Sequence, residues 1–487
     1  MTAPVVNPLA MKKSSFHFLL CLFLPLFLSS QTVTVSDQLI LKDEAYYEVI
    51  PDGRGNVLLF LDQQNKVEVR GYDHELRKRW ERELELDKKR PRVIQAVPMG
   101  SDFCVFYEFR HKLQPVLKVH RYSPGANLVD STTIHIFEKL FYSPNYEIVV
   151  SEDKQTALIW FIEDMDKFNV FSFSMKNMEL LWETQFTVDD FLYQRDFVQM
   201  LTDNEGNMYL VLDRKNRKAK ADEHHFEVFV QGDLTDGLMR RHLINMANYL
   251  TFDVLWSFDN LNKNLVAAGL YSVNNTMRAE GYFFFHAKAD DFTSQQLKFY
   301  EFEDEFVRVL LESDKERLKH KSIAEVTVQD IVHRRDGGII MIAELYKRFQ
   351  RGVTSNSYYA RTGIRPITDY YYDDVFMISL HPNGDEHWKI ILHKKQYSQD
   401  DDGIYSSYFL AKTPAALRLV YNDEVKTENT VSEYIVRADG SFDHDSVMNT
   451  ERKDLGLLFR YGVQVSADTF IVPSERRHRL KLVKVVL

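Results

Sequence analysis

Acidic residues stand side by side at Asp373-Asp374 and at Asp400-Asp401-Asp402, and such groups invite a hydrolytic or metal-binding reading. Glycoside hydrolysis needs two carboxylates facing each other across a cleft, whereas neighbours on a strand point to opposite faces. Asp400-Asp401-Asp402-Gly403 offers hard oxygen ligands for Ca²⁺ but lacks the alternating spacing and closing Glu of a calcium loop, so it reads as a solvated acidic turn. His224-His225 and the remaining histidines show no zinc-ligand spacing. GxSxG, P-loop and dinucleotide fingerprints are missing from the chain. Cys104 lies in the apolar run Phe103-Cys104-Val105-Phe106, where a thiol packs as a small hydrophobe. No catalytic residue, metal ligand or cofactor is assigned on these grounds.

Binding chemistry is better represented. Tyr and Arg are enriched at interface hot spots, and they interleave through Arg348, Arg351, Arg361, Arg365, Tyr370, Tyr371 and Tyr372, followed by Asp373. A second group, Lys394, Lys395, Gln396 and Tyr397, precedes a third, Tyr405, Ser406 and Tyr408. These fifteen positions form the candidate binding set. The pattern over 370–423, including Tyr421-Asn422-Asp423, resembles a family of exported propeller-like proteins of Bacteroidetes, most of them without an assigned function. The resemblance implies a β-propeller and an exported location, and implies no activity.

The elements that must carry these residues are short strands. Val57-Leu58-Leu59-Phe60-Leu61, Ala157–Ile162, Met208–Leu212 and Leu417–Tyr421 are β-branched or aromatic runs bounded by Asp, Asn or Gly. Two units recur. One is a turn before a strand, Asp52-Gly53-Arg54-Gly55-Asn56 and Asp203-Asn204-Glu205-Gly206-Asn207, with a degenerate copy at Arg335-Asp336-Gly337-Gly338. The other sets a tryptophan at the start of a later strand (Trp80, Trp182, Trp388), where it is expected to close a hairpin. Repetition at this period predicts an all-β propeller. Four strands per unit place seven blades near 45–86, 92–137, 145–187, 197–245, 252–301, 326–394 and 404–449. Strands after Leu457 pair with the spare strand near 32–42 to complete an eighth, with seven blades as the alternative count. A helix is expected over 302–321, with Asp304 as N-cap and Phe306, Leu310, Leu311 and Leu318 at helical spacing. Four departures from the repeat, 214–223, 302–321, 346–372 and 395–403, fall in second-to-third-strand loops or between blades. Both kinds of connection leave a propeller on the same face.

The first thirty residues read as a secretory leader, with Met11-Lys12-Lys13, an apolar run from Phe16 to Leu28, and Ser29-Ser30 before Gln31. Residues 1–10 read as an extension upstream of the natural start, and 31–487 as one propeller domain. The formal charge of −10 argues against general nucleic-acid binding. After the leader no apolar run reaches membrane-spanning length. The C-terminal strands are expected to be consumed by the ring, which favours the periplasm over surface display. The resulting expectation is a non-enzymatic periplasmic scaffold that binds a protein or envelope component, with a plug-like accessory of the type IX translocon as its specific form. The alternative is a carbohydrate-active propeller enzyme using channel-facing carboxylates.

Overall fold

The computed structural model describes residues 32–487 apart from 43–44, 64–65, 88–90, 139–141, 312–321, 352–366, 424, 426–429 and 451–453. Eight antiparallel sheets follow one another along the chain. Blade 1 runs Tyr46–Pro51, Val57–Asp62, Val67–Tyr72, Lys78–Glu83. Blade 2 runs Arg92–Met99, Asp102–His111, Gln114–Tyr122, Leu128–Ile136, and blade 3 Glu147–Val150, Thr156–Glu163, Lys167–Ser174, Glu179–Thr187. Blade 4 holds Phe197–Thr202, Met208–Arg214, His225–Gln231 and Arg240–Asn245, and blade 5 Leu250–Asp259, Asn264–Ser272, Gly281–Lys288 and Gln296–Glu301. Blade 6 is Val326–His333, Ile339–Arg351, Ile367–Leu380 and Glu386–Leu392, and blade 7 is Tyr408–Lys412, Ala416–Asn422, Thr430–Arg437 and Phe442–Asn449. The first strands are innermost, and those of blades 8, 1 and 2, and of blades 3 to 6, touch one another in sequence.

Blade 8 joins the two ends of the described chain. Val463–Gln464, Thr469–Arg476 and Arg479–Val486 are completed on the outside by Thr32–Val35, with Thr32 opposite Val486 and Val35 opposite Val483. Leu39–Ile40 pairs with the same strand, against Leu480 and Arg479. The eight-blade reading and its closure therefore hold. Eight apolar clusters fill the eight blade interfaces, including the closing one, where Val49 and Leu59 of blade 1 meet Ile471 and Leu482 of blade 8. Middle strands are covered on both faces, which explains their unbroken apolar runs; Asn264–Ser272 is buried at every position. Cys104 is one of these core residues, and burial pushes its thiol up to about 12.

The repeats have physical work in the turns. Asp52 Oδ1 accepts from the backbone N–H of Arg54 at 2.8 Å and Asn56 at 3.0 Å, and Asn56 Nδ2 donates to Asp52 Oδ2. Asp203 and Asn207 repeat the arrangement in blade 4, and Asp259 with Asn262 in blade 5. The tryptophans do not simply close hairpins. Trp182 Nε1 donates to Gly206 O of blade 4 at 3.1 Å, and Trp388 Nε1 to Ala438 O of blade 7 at 2.9 Å, so each staples its outer strand to the next blade. Trp80 covers its own sheet, lying over Gly71, where a Cβ would sit 2.2 Å from the indole.

Inner strands are stitched by residues one step past a β-bulge, which re-aims them at the neighbouring blade. Gln199 exchanges hydrogen bonds with the backbone of Trp256, both at 3.0 Å. Asp253 Oδ2 accepts from Val328 N at 2.7 Å, and Asp330 Oδ2 accepts from Tyr408 OH at 2.8 Å. Burial raises the carboxyl pKa of both aspartates.

In blade 2, His120 is buried between Tyr107 OH at 2.7 Å and Tyr122 OH at 3.0 Å. Burial holds its imidazole down to about 4, against an ordinary value of 6.5. The unfolded chain thus binds the proton first, and stability falls as pH drops through this window. A wild-type pH–stability curve should lose about 3 kcal/mol more between pH 7 and pH 4 than that of His120→Gln, by urea titration at each pH.

Candidate functional site

The expected insertions lie where the topology sends second-to-third-strand hairpins and inter-blade linkers, on one face of the ring. Their internal structure differs from the expectation in three respects. The helix spans Asp304–Leu310; its N-cap is Glu303 rather than Asp304, and no side chain caps it. Phe306, Val307, Leu310 and Leu311 pack into the cluster between blades 5 and 6, so the helix caps that interface. The remainder, 312–321 with Leu318, lies outside the described residues.

The basic run 214–223 is largely neutralised within itself. Lys215 and Lys220 both pair with Glu223, which they hold at about 2, and Lys218 Nζ donates to Val273 O at 2.7 Å. Arg214 binds buried Asp196 at 3.1 Å. His224 is fully buried, with Nε2 2.7 Å from Asp213 Oδ1.

The stretch 346–372 is not a loop at its ends. Blade 6 extends past the ring as a ribbon in which Tyr346 faces Tyr372, Lys347 Tyr371, Arg348 Tyr370, and Arg351 Ile367. Gln396–Gln399 adds a third strand, pairing Gln396 with Tyr372 and Tyr397 with Tyr371. At the rise of an extended strand, six ribbon residues carry it roughly 20 Å beyond the blade core. Arg361 and Arg365 lie outside the described residues.

Alternation divides the ribbon into two faces. Tyr370 and Tyr372 are buried on the inner one: Tyr370 OH donates to Asp402 Oδ1 at 2.8 Å, and Arg460 sits 4.5 Å over the Tyr372 ring. Arg348 lies 5.8 Å over Tyr370. The other face carries Lys347, Phe349, Arg351 and Tyr371. Asp369 joins Arg351 at 2.7 Å, Tyr397 OH at 2.7 Å and Gln399 at 3.2 Å, while Tyr371 and Tyr397 rings sit 5.0 Å apart. Phe349 is 50% exposed in the middle of this face.

The base of the ribbon is braced from beneath. Lys394 and Glu344 form a fully buried ion pair at 2.5 Å. Lys394 Nζ also donates to Tyr372 O and Gln396 Oε1, both at 3.0 Å, and Ser407 Oγ donates to Glu344 Oε2 at 2.7 Å. Gln396 Nε2 reaches Asn422 O of blade 7 at 2.6 Å, and Tyr405 OH reaches Glu475 O of blade 8 at 2.8 Å. Ser406 and Tyr408 are buried as well. Of the fifteen candidates, then, Tyr370, Tyr372, Lys394, Gln396, Ser406 and Tyr408 sit inside the fold and position the others. Arg348, Arg351 and Lys395 are exposed, and Tyr371, Asp373, Tyr397 and Tyr405 are half-buried.

Beside the ribbon, between blades 6 and 7, lies an open cleft of about 820 Å³ that includes Asp373, Asp374, His393, Lys395, Asp423 and His444. His393 Nδ1 stands 3.0 Å from Asp374 Oδ2, and Tyr421 OH 3.0 Å from His444 Nε2. Among the described residues, no group of three or more His, Cys, Asp or Glu side chains is arranged to hold a metal ion. The aspartates at 400–402 are each spent separately, on Thr368 N, Gly403 N and Tyr370 OH. Residues missed from sequence are Phe349, Glu344 and Asp369, and Asp402, read there as part of a solvated acidic turn, instead holds Tyr370. Glu344 left one trace, a lone acid in the apolar run Ile339–Leu345.

No family model and no curated protein matches the chain. Solved structures that resemble it include the Dos1 propeller at 9% identity and a TM-score of 0.45, covering 93% of this chain and 94% of that one. Dipeptidyl peptidase 4 of Porphyromonas gingivalis aligns at 12% identity and a TM-score of 0.46 over 89% of this chain and 56% of its own. The β-propeller domain of the Trilobed protease from Pyrococcus furiosus, which has an open velcro topology, aligns at 10% identity and a TM-score of 0.36 over 83% of this chain and 95% of its own. Likenesses at this level carry nothing about activity; the chain is an all-β, eight-bladed propeller by its own sheet order.

Proposed function

We propose that this is an exported, non-enzymatic scaffold that holds a protein or envelope component on the ribbon face of blades 6 and 7. The observation that carries the reading is the braced ribbon itself: a rigid platform presenting Phe349, Tyr371, Arg351 and Lys395 above the ring. Aromatic and Arg side chains on a rigid base make contact area at small entropic cost. The leader-like composition of residues 11–30 supports export, with the periplasm as destination. No helix among the described residues is long and apolar enough to cross a membrane. A plug-like accessory of the type IX translocon is the specific form of this proposal.

The test is affinity purification of the tagged mature chain from a cross-linked envelope fraction, beside the surface variant Phe349→Asp/Tyr371→Ala. Removing two central anchors should lower recovery of the partner by about tenfold or more. Equal recovery, or no partner from either protein, contradicts the reading.

A further inference from the structure

A second site sits on the same face across the ring, where blades 3 and 4 meet. A pocket of about 860 Å³ is lined by Asn145, Glu147, Trp160, Met165, Leu192 and Tyr193, together with Ile162, Gln194 and Arg195. We infer that it binds a neutral oligosaccharide of a few sugar units, stacked on Tyr193 and held by Glu147, Asn145 and Gln194.

The sheet register builds the pocket. Glu147 stands directly opposite Trp160 in the ladder, so both side chains lie on the blade face turned to blade 4, and Ile162 follows two residues along. Phe197, the first residue of the next blade, stacks on Trp160 at 5.3 Å, and Tyr193 stacks on Phe197 at 4.8 Å with 20° between planes. The column leaves Tyr193 47% exposed as its outer ring. Trp160 is only 4% exposed, yet its indole N–H has no acceptor among the described residues.

The turn that supplies Tyr193 is preorganised. Buried Asp196 accepts from Leu192 N at 2.8 Å and pairs with Arg195 at 2.6 Å and Arg214 at 3.1 Å. Arg214 Nη2 also donates to Asp189 O at 2.8 Å, so the first residue of the basic run serves to clamp this turn. A rigid aromatic platform backed by a second layer of hydrogen bonds is what a specific binding site requires.

Ligand class follows from the rim. Glu147 is exposed at the rim, and its carboxylate can accept from two hydroxyls. Asn145 and Gln194 each offer a donor and an acceptor, which suits groups that both give and take hydrogen bonds. Glu147 disfavours an anion, and Arg195, bound to Asp196 and close to Asp190, adds no free positive charge; a cationic peptide is therefore the competing ligand in the test. Met165, 82% exposed, and Leu192, 54% exposed, flank the ring as apolar walls for C–H faces. The volume lies in the range of small-ligand sites, about 300–1,000 Å³.

The experiment titrates the mature protein with four defined tetrasaccharides (maltotetraose, cellotetraose, N-acetylchitotetraose and mannotetraose), read by saturation-transfer NMR and calorimetry. At least one should bind at concentrations of about 10 mM or below. Tyr193→Ala should weaken that binding by about tenfold with the circular dichroism of the folded protein retained, and Glu147→Gln severalfold with an unchanged unfolding midpoint, since Glu147 is exposed. The inference is overturned if none of the four binds. It is equally overturned if binding survives both substitutions, or if the peptide Ac-Lys-Tyr-Lys-NH2 binds where no saccharide does. This site is independent of the ribbon, so its failure leaves the partner-binding proposal standing.

Discussion

Removing residues 32–41 should leave a chain that no longer unfolds in one cooperative step and that aggregates at working temperature. Thr32–Val35 is the outer strand of blade 8, and its loss bares Arg479–Val486 as an uncovered edge. Val33 and Val35 leave the cluster between blades 7 and 8, and Leu41 leaves the one that closes the ring. Ser36 gives up two backbone-directed bonds with Leu482, at 2.9 and 2.8 Å. Three apolar side chains at about 1.5–3 kcal/mol each put the loss near 5 kcal/mol, against a total of about 5–15 for a typical domain. Circular dichroism through a thermal ramp reads the effect; an unchanged midpoint would mean the ring closes elsewhere.

Lys394→Met should cost about 3–5 kcal/mol, the ordinary penalty for removing one partner of a buried ion pair. The substitution leaves Glu344 charged in the core, with the Ser407 hydroxyl still donating to it, and it also unties Tyr372 O and Gln396. Much of that cost comes from the stranded charge rather than from the pair. The double variant Glu344→Leu/Lys394→Met should therefore recover a large part of it. Urea titration of both proteins checks the difference. A single variant as stable as wild type would show that the pair does not brace the ribbon.

The parts of the fold legible in sequence are those where local chemistry and tertiary role coincide. Asp52 and Asp203 recur because their side chains cap tight turns, and that need is visible in five consecutive residues. Runs such as Val57–Leu61 are unbroken because blades cover both faces, so strand positions could be read from composition alone. The ring closure could be guessed because one strand remained without a unit. Legibility fails where a residue answers to a distant partner. Tyr370 and Lys394 look like surface anchors in sequence, yet register turns Tyr370 inward and Glu344, fifty residues before Lys394, draws the lysine into the core. The basic run 214–223 reads as a patch until Glu223 and Asp196 claim its cations. Phe349 is silent for the opposite reason: an aromatic on a strand is ordinary, and only the ribbon's register exposes it.

If the ribbon face binds the partner and the opposite face is scaffold, the two faces should differ in the intact envelope. Site-specific photo-cross-linking in the intact envelope tests it most directly. The cross-linker replaces Lys395 beside the ribbon or, separately, Asp439 in the last turn of blade 7; both positions are exposed, and they lie on opposite faces of neighbouring blades. A discrete cross-linked product is expected from Lys395 and none from Asp439. Products of equal yield from both positions, or a product from Asp439 alone, would contradict it.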